Sequence, residues 1–291
     1  MARICTDLHL VTKTVKIKWC RHLNSVVFGY IISANRPLNE VGNNGLRGDN
    51  AALWAVLSFL EHGKFHSLRT IAYIDGFNLY FGCLKQVPHC RWLDVESFVR
   101  TLCKEQDPQT NLVNIKYFTA PIKTGLSPRG HESSKAQHTY IRALVAHCPI
   151  IQIIEGKYFI VSGSYYGDTK PVDFRKKYKV LRPEEKQTDV NIALHMLSDA
   201  TDGICDQQVL FSNDSDCAPI LSTIRQRHPN MRFGVVPPFL KTKTDRHPSR
   251  ELIDLSDWSR KPISESILLD CQLPERIPTR KKPILKPVHW Q

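Results

Sequence analysis

The chain has 291 residues, 42% hydrophobic and 23% charged, enough apolar content for a real core within one large domain or one domain plus extensions. Forty Lys and Arg against 28 Asp and Glu give a formal net charge of +12 and a pI near 9.3, a surplus that favours polyanionic partners through counterion release without proving one. The nine cysteines are odd in number and form no C-x2-C pair, which excludes a zinc ribbon or a disulfide scaffold and reads as free thiols in a reducing cytosol.

No apolar run approaches the roughly 18 residues that span a bilayer. The best candidate, Ala51 to Leu60, lies too far in to be a signal segment. The expectation is a soluble, cytoplasmic protein with no membrane partner. Three zones follow. Residues 1–67 show turn-like clusters such as Asn43-Asn44-Gly45 and no sustained periodicity. Residues 68–238 alternate strand-like and helix-like segments, and residues 239–291 are rich in Pro, Lys and Arg. There is no internal repeat.

In chain order, Thr70 to Asp75 is predicted as a short buried strand bounded by Gly76. A helical stretch follows, with a second from Asp94 to Lys104. Val113 to Thr119 is the second predicted strand, and Ser133 to Cys148 a helix with Ser133 as its N-cap. Ile150 to Ile154 is the third strand, rich in β-branched residues. Residues 156–183 read as irregular. A helix over Thr188 to Ala200 takes Thr188 as its N-cap and carries Asp189 in its first turn. Val209 to Ser212 is the fourth strand, Cys217 to Arg227 a helix, and Phe233 to Val236 the fifth strand. Alternating β and α elements with short apolar strands predict an α/β, doubly wound fold: a mostly parallel five-stranded sheet with helices on both faces.

Asp75 ends the first predicted strand, and Asp214 and Asp216 follow the fourth. In open α/β sheets the ligand crevice lies outside the carboxyl ends of the strands, where strand order reverses. A central first strand would bring these residues together, and Asp189 could point into the same crevice. Converging carboxylates repel one another, and a divalent cation relieves that repulsion; hard oxygen donors select Mg2+ or Mn2+. Taken singly, each aspartate has a blander explanation. A strand-terminal Asp can merely cap the next helix, Asp189 can simply complement a helix dipole, and Ser212 to Asp216 can be a polar turn.

The segments Tyr73-Ile74-Asp75-Gly76-Phe77-Asn78-Leu79, Glu185-Lys186-Gln187-Thr188-Asp189-Val190-Asn191 and Ser212-Asn213-Asp214-Ser215-Asp216 together, in this order, resemble the NYN domain. That family belongs to the PIN-like ribonuclease superfamily, and the likeness is greatest to its bacterial LabA-like branch. Pro248 to Leu252 and Ile284 to Pro287 with Trp290 also resemble the C-terminal region of that branch, so the likeness runs from about Leu68 to Gln291. The resemblance implies a PIN-like fold with sheet order 3-2-1-4-5. By matching position, Asp75, Asp189, Asp214 and Asp216 would hold the metal. It also implies that Asn78 orients a metal-bound water or phosphate, that Lys186 contacts substrate phosphate, and that Ser212 supports the last carboxylates. RNA is the superfamily's default partner. The first 67 residues have no counterpart, and read either as a poorly ordered extension or as an upstream reading of the gene with translation starting near Leu68. Residues 68–238 are then the NYN/PIN-like nuclease domain, and residues 239–291 a C-terminal extension packing on it with a basic tail.

Arg175, Lys176 and Lys177, interleaved with Phe174 and Tyr178, suit stacking and gripping of a single strand, although a charge run is usually a solvated face. His89 beside Cys90 and His147 beside Cys148 lack the partners a transition metal needs. His195 reads as packed or surface-exposed, and no nucleophile-elbow sequence occurs. The resulting expectation is a Mg2+- or Mn2+-dependent endoribonuclease that hydrolyses RNA through a metal-activated water. The rival is a non-catalytic RNA- or protein-binding regulatory module with the same fold, and a homo-oligomer or regulatory protein partner is left open. A phosphatase using Asp75 as nucleophile is disfavoured, because Phe77 stands where a second Asp is usual.

Overall fold

Leu68–Asp75 forms β1, the strand around which the sheet is built, in a computed structural model that describes residues 67–124, 130–242, 247–260 and 262–290 together with four short strands within the first 26. Every residue of β1 from Thr70 to Asp75 is buried, as expected where a parallel strand is covered on both faces. Its side chains alternate between two cores. Ala72 and Ile74 join one with Phe98, Leu102, Tyr140 and Leu144. Ile71 and Tyr73 join the other with Ile192, Met196, Leu221 and Phe233. This two-sided burial makes the fold doubly wound.

The elements after β1 are α1 (Gly76–Leu79), a π-helical turn over Tyr80–Leu84, α2 (Val95–Gln106), β2 (Thr110–Thr119), α3 (His131–His147) and β3 (Ile151–Glu155). Then come β4 (Lys157–Tyr166), β5 (Lys177–Lys186), α4 (Thr188–Thr201), β6 (Gln207–Phe211), α5 (Ala218–Arg227) and β7 (Arg232–Val235). The remaining elements are α6 (Arg250–Asp254), β8 (Trp258–Ser259), α7 (Glu265–Asp270), β9 (Arg276–Ile277) and β10 (Ile284–Leu285). The main sheet runs β8-β7-β6-β1-β2-β3, parallel throughout.

The five predicted strands therefore take the expected order 3-2-1-4-5, and a sixth, β8, extends the edge beyond β7. At two residues β8 is too short to leave a periodic signal. Its Trp258 ring lies across β7 at Gly234, where an added Cβ would meet the ring at 2.1 Å. The indole Nε1 donates to Gln207 Oε1 at 3.0 Å.

Three local expectations are corrected. Helix α3 starts at His131 rather than Ser133 and is entered from Gly130, whose φ of 48° suits glycine. Thr188 is the first helical residue of α4, and the capping position falls to Gln187 in the left-handed region at φ 83°. Residues 156–183, read as irregular, instead contribute most of a long antiparallel hairpin pairing β4 with β5, from Lys157↔Lys186 to Tyr166↔Lys177. Its side chains are largely exposed, so it lacks the polar–apolar alternation that marks a half-buried strand.

Helix α2 shows the sequence logic at its plainest. Asp94 caps it, accepting from the Glu96 and Ser97 N–H groups at 3.0 and 3.2 Å, while Val95, Phe98, Val99 and Leu102 form its buried stripe. The C-terminal segment packs on this same side of the sheet. Trp92 Nε1 donates to the Pro274 carbonyl at 2.9 Å, and Trp290 contacts the Trp92 and Tyr140 rings at centroid distances of 6.3 and 5.8 Å. Arg280, Lys281 and Lys282 sit in the turn joining β9 to β10. On the opposite face, Lys116 of β2 forms a buried ion pair with Asp199 of α4 at 2.6 Å, and Tyr73 donates to the same carboxylate at 2.6 Å. His195 packs there, its Nδ1 3.2 Å from Lys116 Nζ and its ring 5.7 Å from that of Phe118.

Cys90, Cys103, Cys148, Cys205, Cys217 and Cys271 are buried free thiols. No described helix is long and apolar enough to cross a membrane. Residues 1–64 and 65–291 are separate compact units. In the first, Asp7–Leu10 pairs antiparallel with Lys13–Lys16, and Arg21–His22 with Ser25–Val26. Ala51 to Leu60 and the Asn43 cluster lie outside the described residues.

Candidate metal centre

The parallel register of β1 with β6, Phe211 opposite Ile74, brings the C-terminal ends of the two strands side by side. The order of the sheet reverses here: β2 and β3 lie to one side of β1, and β6, β7 and β8 to the other. Strand β1 ends in Asp75. Strand β6 runs into Ser212, Asn213 and Asp214, then a 3-10 turn over Ser215–Cys217 that carries Asp216. The first turn of α4 adds Asp189. One carboxylate oxygen from each of Asp189, Asp214 and Asp216 lies within 4.8 Å of the others.

Local bonding holds this arrangement. Ser212 is fully buried and its Oγ accepts from the Asp214 N–H at 3.1 Å. Asp214 caps the 3-10 turn by accepting from the Asp216 N–H at 3.1 Å. The Asn213 amide bridges to the later segment, donating to the His247 carbonyl at 3.1 Å and accepting from the Ser249 N–H at 2.8 Å. Asp75 is buried and caps α1, accepting from the Asn78 N–H at 2.9 Å and from the Asn78 side-chain amide at 2.6 Å. Asn78 is thus held on Asp75. Gly76 follows directly, where a Cβ would meet the Phe118 carbonyl oxygen at 2.7 Å.

The crowding is visible in the proton affinities. Burial, then the charges of Asp214, Asp75 and Asp216, push Asp189 up to about 6. Burial also raises Asp75, with a further contribution from Asp214, against the lowering effect of its bonds from Asn78. Glu185, the penultimate residue of β5, is pushed up to about 7 by burial and then by Asp75 and Asp189. One of its oxygens, Oε1, is buried and has no hydrogen-bond partner among the described residues, as is true of Thr188 Oγ1.

Among the described residues no cation pairs with Asp189, Asp214 or Asp216, and such an acidic cluster with unpartnered oxygens beside it is the donor set a hard divalent cation fits. Oxygens sharing one Mg2+ at about 2.1 Å stand roughly 3 to 4.2 Å apart. The 4.8 Å limit found here therefore closes with small rotations of Asp189 and Asp216, which are exposed and free to turn.

Glu185 opens the Glu-Lys-x-x-Asp motif, but nothing in the sequence pattern singles it out as a member of the cluster. Only the hairpin, by delivering the end of β5 beside Gly156, exposes its part in the cluster: a Cβ on Gly156 would lie 3.5 Å from Glu185 Oε1 and 3.0 Å from Thr188 Oγ1. Lys186 is exposed at the base of the hairpin, 3.4 Å from Glu184. Arg175, Lys176 and Lys177 lie at its far end, with Lys176 over the Tyr178 ring at 5.1 Å and Lys177 over Tyr166 at 4.8 Å. Phe174 beside them is 73% exposed.

A doubly wound parallel sheet with acidic side chains gathered past the carboxyl ends of its central strands, where strand order reverses, is an α/β protein with its candidate site where such sheets bind ligands. The chain belongs to the NYN domain family, whose model matches residues 69–255, and that family lies within the PIN-like nuclease superfamily. Among curated proteins it is 37% identical over 243 residues to 6-hydroxy-3-succinoylpyridine 3-monooxygenase HspA of Pseudomonas putida, covering 77% of this chain and 75% of that protein. A crystal structure of a protein of unknown function from Vibrio parahaemolyticus matches with a TM-score of 0.40 at 18% identity, over 69% of this chain and 94% of the other.

Proposed function

We propose that the protein is a Mg2+- or Mn2+-dependent hydrolase of RNA phosphodiesters. The observation that carries this reading is the convergence of Asp189, Asp214 and Asp216 within 4.8 Å at the strand ends. In this reading those three hold the cation directly, and Asp75 and Glu185 set the charge beneath them. When bound, the cation supplies charge neutralisation at the scissile phosphate and activation of water.

The chain's own residues do the rest. Asn78 fixes the Asp75 carboxylate by two hydrogen bonds, and Ser212 fixes the backbone that carries Asp214. Glu185, pushed up to about 7, can hold or release a proton near neutral pH at the edge of the cluster. Lys186 meets phosphate at the base of the hairpin. Arg175, Lys176 and Lys177 grip the backbone farther out, with Phe174, Tyr165, Tyr166 and Tyr178 exposed for stacking.

The test is cleavage of labelled single-stranded RNA by the full chain with Mn2+, with EDTA, and with Asp189→Asn and Asp216→Asn. Metal-dependent cutting lost in both variants is the expected result. Binding that persists in EDTA with no cutting under any condition would instead fit the non-catalytic module and overturn the hydrolase.

A second reading, oxygenation of a hydroxylated pyridine acid, is favoured by one observation, the monooxygenase name of the 37% identical relative. Oxygen uptake on 6-hydroxy-3-succinoylpyridine with an added two-electron reductant, unaffected by Asp216→Asn, would support it over hydrolysis.

A further inference from the structure

Beside the acidic cluster, on the α3 side of the sheet, lies a cavity of about 510 Å3, within the range of small-ligand pockets. Gly76 and Phe77, the two residues after Asp75, form part of its lining. Its walls are aromatic. Phe77 stacks between Phe81 and Tyr158 at centroid distances of 6.2 Å on each side, and Tyr80 meets Phe81 edge-on at 5.2 Å. Tyr140 and Trp290, 5.8 Å apart, contribute a second pair of rings.

Its charged lining is of one sign. Lys85, Arg91 and Lys123 line the cavity, and among the described residues no carboxylate does. Among the described residues none of the three pairs with an acid. Arg91 is held in place by bonds to the Leu84 and Lys85 carbonyls at 3.2 and 3.1 Å, with its guanidinium 5.7 Å from the centre of the Tyr80 ring. Lys85 Nζ stands 5.1 Å from the centre of the Phe81 ring. A cation over an aromatic face next to an apolar slot can meet a flat ring and a negative substituent together.

We infer that this cavity binds a single planar aromatic ring bearing a negative group, the ring lodged among Phe77, Tyr80, Phe81 and Trp290 and the charge met by Lys85, Arg91 and Lys123. Neither a neutral aromatic nor an aliphatic acid satisfies both halves. A nucleoside monophosphate and a small aromatic carboxylate share this chemistry. The inference goes beyond the phosphodiesterase reading and does not rest on it, because it involves none of the aspartates.

The experiment is calorimetric titration of the full chain in EDTA, so that a failed metal reading cannot affect the outcome. The probes are benzoate, 5′-UMP and 5′-AMP, with benzamide, uridine, adenosine and succinate as their counterparts. At least one aromatic anion should bind at least tenfold more tightly than its uncharged counterpart, and succinate should not bind. A nucleotide bound more tightly than benzoate identifies nucleotides as the source, and the reverse order identifies an aromatic acid. Lys85 and Lys123 are both exposed, so Lys85→Gln and Lys123→Gln leave the fold intact. Each should weaken the favoured anion roughly threefold, and the pair together about tenfold. Failure of all three anions to saturate, equal binding of charged and uncharged partners, or unchanged affinity in the double variant would each overturn the proposal.

Discussion

Asp214→Asn should make the metal-free protein more stable and at the same time remove its response to metal. Asp214 is one member of the triad, and its oxygen is within 4.8 Å of those of Asp189 and Asp216. At that separation two negative charges repel by about 1 kcal/mol in a water-like medium and by about 3 kcal/mol at an effective dielectric near 20. Asp189 and Asp216 are exposed, so the lower figure applies, and removing two such pairs should yield about 2 kcal/mol. Asparagine still caps the 3-10 turn by accepting from the Asp216 N–H, so little is lost there. For a unit of this size the melting midpoint in EDTA should rise by about 4–8 °C. Adding Mn2+ at a hundredfold excess over its dissociation constant should stabilise the wild type by about 2.7 kcal/mol and the variant hardly at all. Thermal denaturation followed by circular dichroism, with and without Mn2+, measures both effects. A variant midpoint in EDTA at or below that of the wild type, or an equal response of both proteins to Mn2+, would refute the reasoning.

Three further outcomes follow from the packing. Glu185 binds its proton more tightly in the fold, at about 7 against an ordinary 4.5. Its stabilising contribution is therefore complete below about pH 4.5, declines as pH rises, and is gone above 7; after a discount for its partial exposure it amounts to about 1–2 kcal/mol. Urea unfolding in EDTA between pH 5 and 8 should show the wild type losing stability relative to Glu185→Gln, and parallel curves would contradict this. Lys116→Met should destabilise by about 3–5 kcal/mol by stranding buried Asp199, with much of the loss recovered in Lys116→Met/Asp199→Leu. Chemical denaturation of the single and double variants checks it. Gly82→Ala should cost about 3 kcal/mol or more, or yield no soluble protein, because its Cβ would lie 1.6 Å from the Pro238 carbonyl oxygen; soluble yield and a urea midpoint decide.

The parallel sheet was legible because its central strands are buried on both faces and read as unbroken apolar runs, Ile71 to Ile74 and Val209 to Phe211. The switch point followed from their order, and with it the meeting of Asp189, Asp214 and Asp216; Asp75, expected as a fourth metal ligand, is not among the oxygens that converge and instead caps α1, bonded twice to Asn78. What escaped did so for physical reasons. Beyond its base, where Tyr158 stacks on Phe77, the β4–β5 hairpin is largely exposed and is held by its own ladder and cross-strand ring–cation contacts such as Arg182 over Tyr165, so hydrophobic periodicity had nothing to report. Glu185 sits on that hairpin and was hidden with it. The aromatic cavity draws on α1, the π-helical turn, β2, α3 and the last residues before the C-terminus, and no local pattern links segments so far apart. The beginning of α4 was misread by one residue because a glutamine in the left-handed region is uncommon, whereas a threonine cap is ordinary.

Strand β1 and strand β6 are neighbours in space but distant along the polypeptide, with Thr70 opposite Gln207. During synthesis Asp75 therefore emerges from the ribosome long before Asp214 exists, and no shorter nascent fragment can assemble the acidic centre. The acidic centre is complete only once nearly the whole domain has been made.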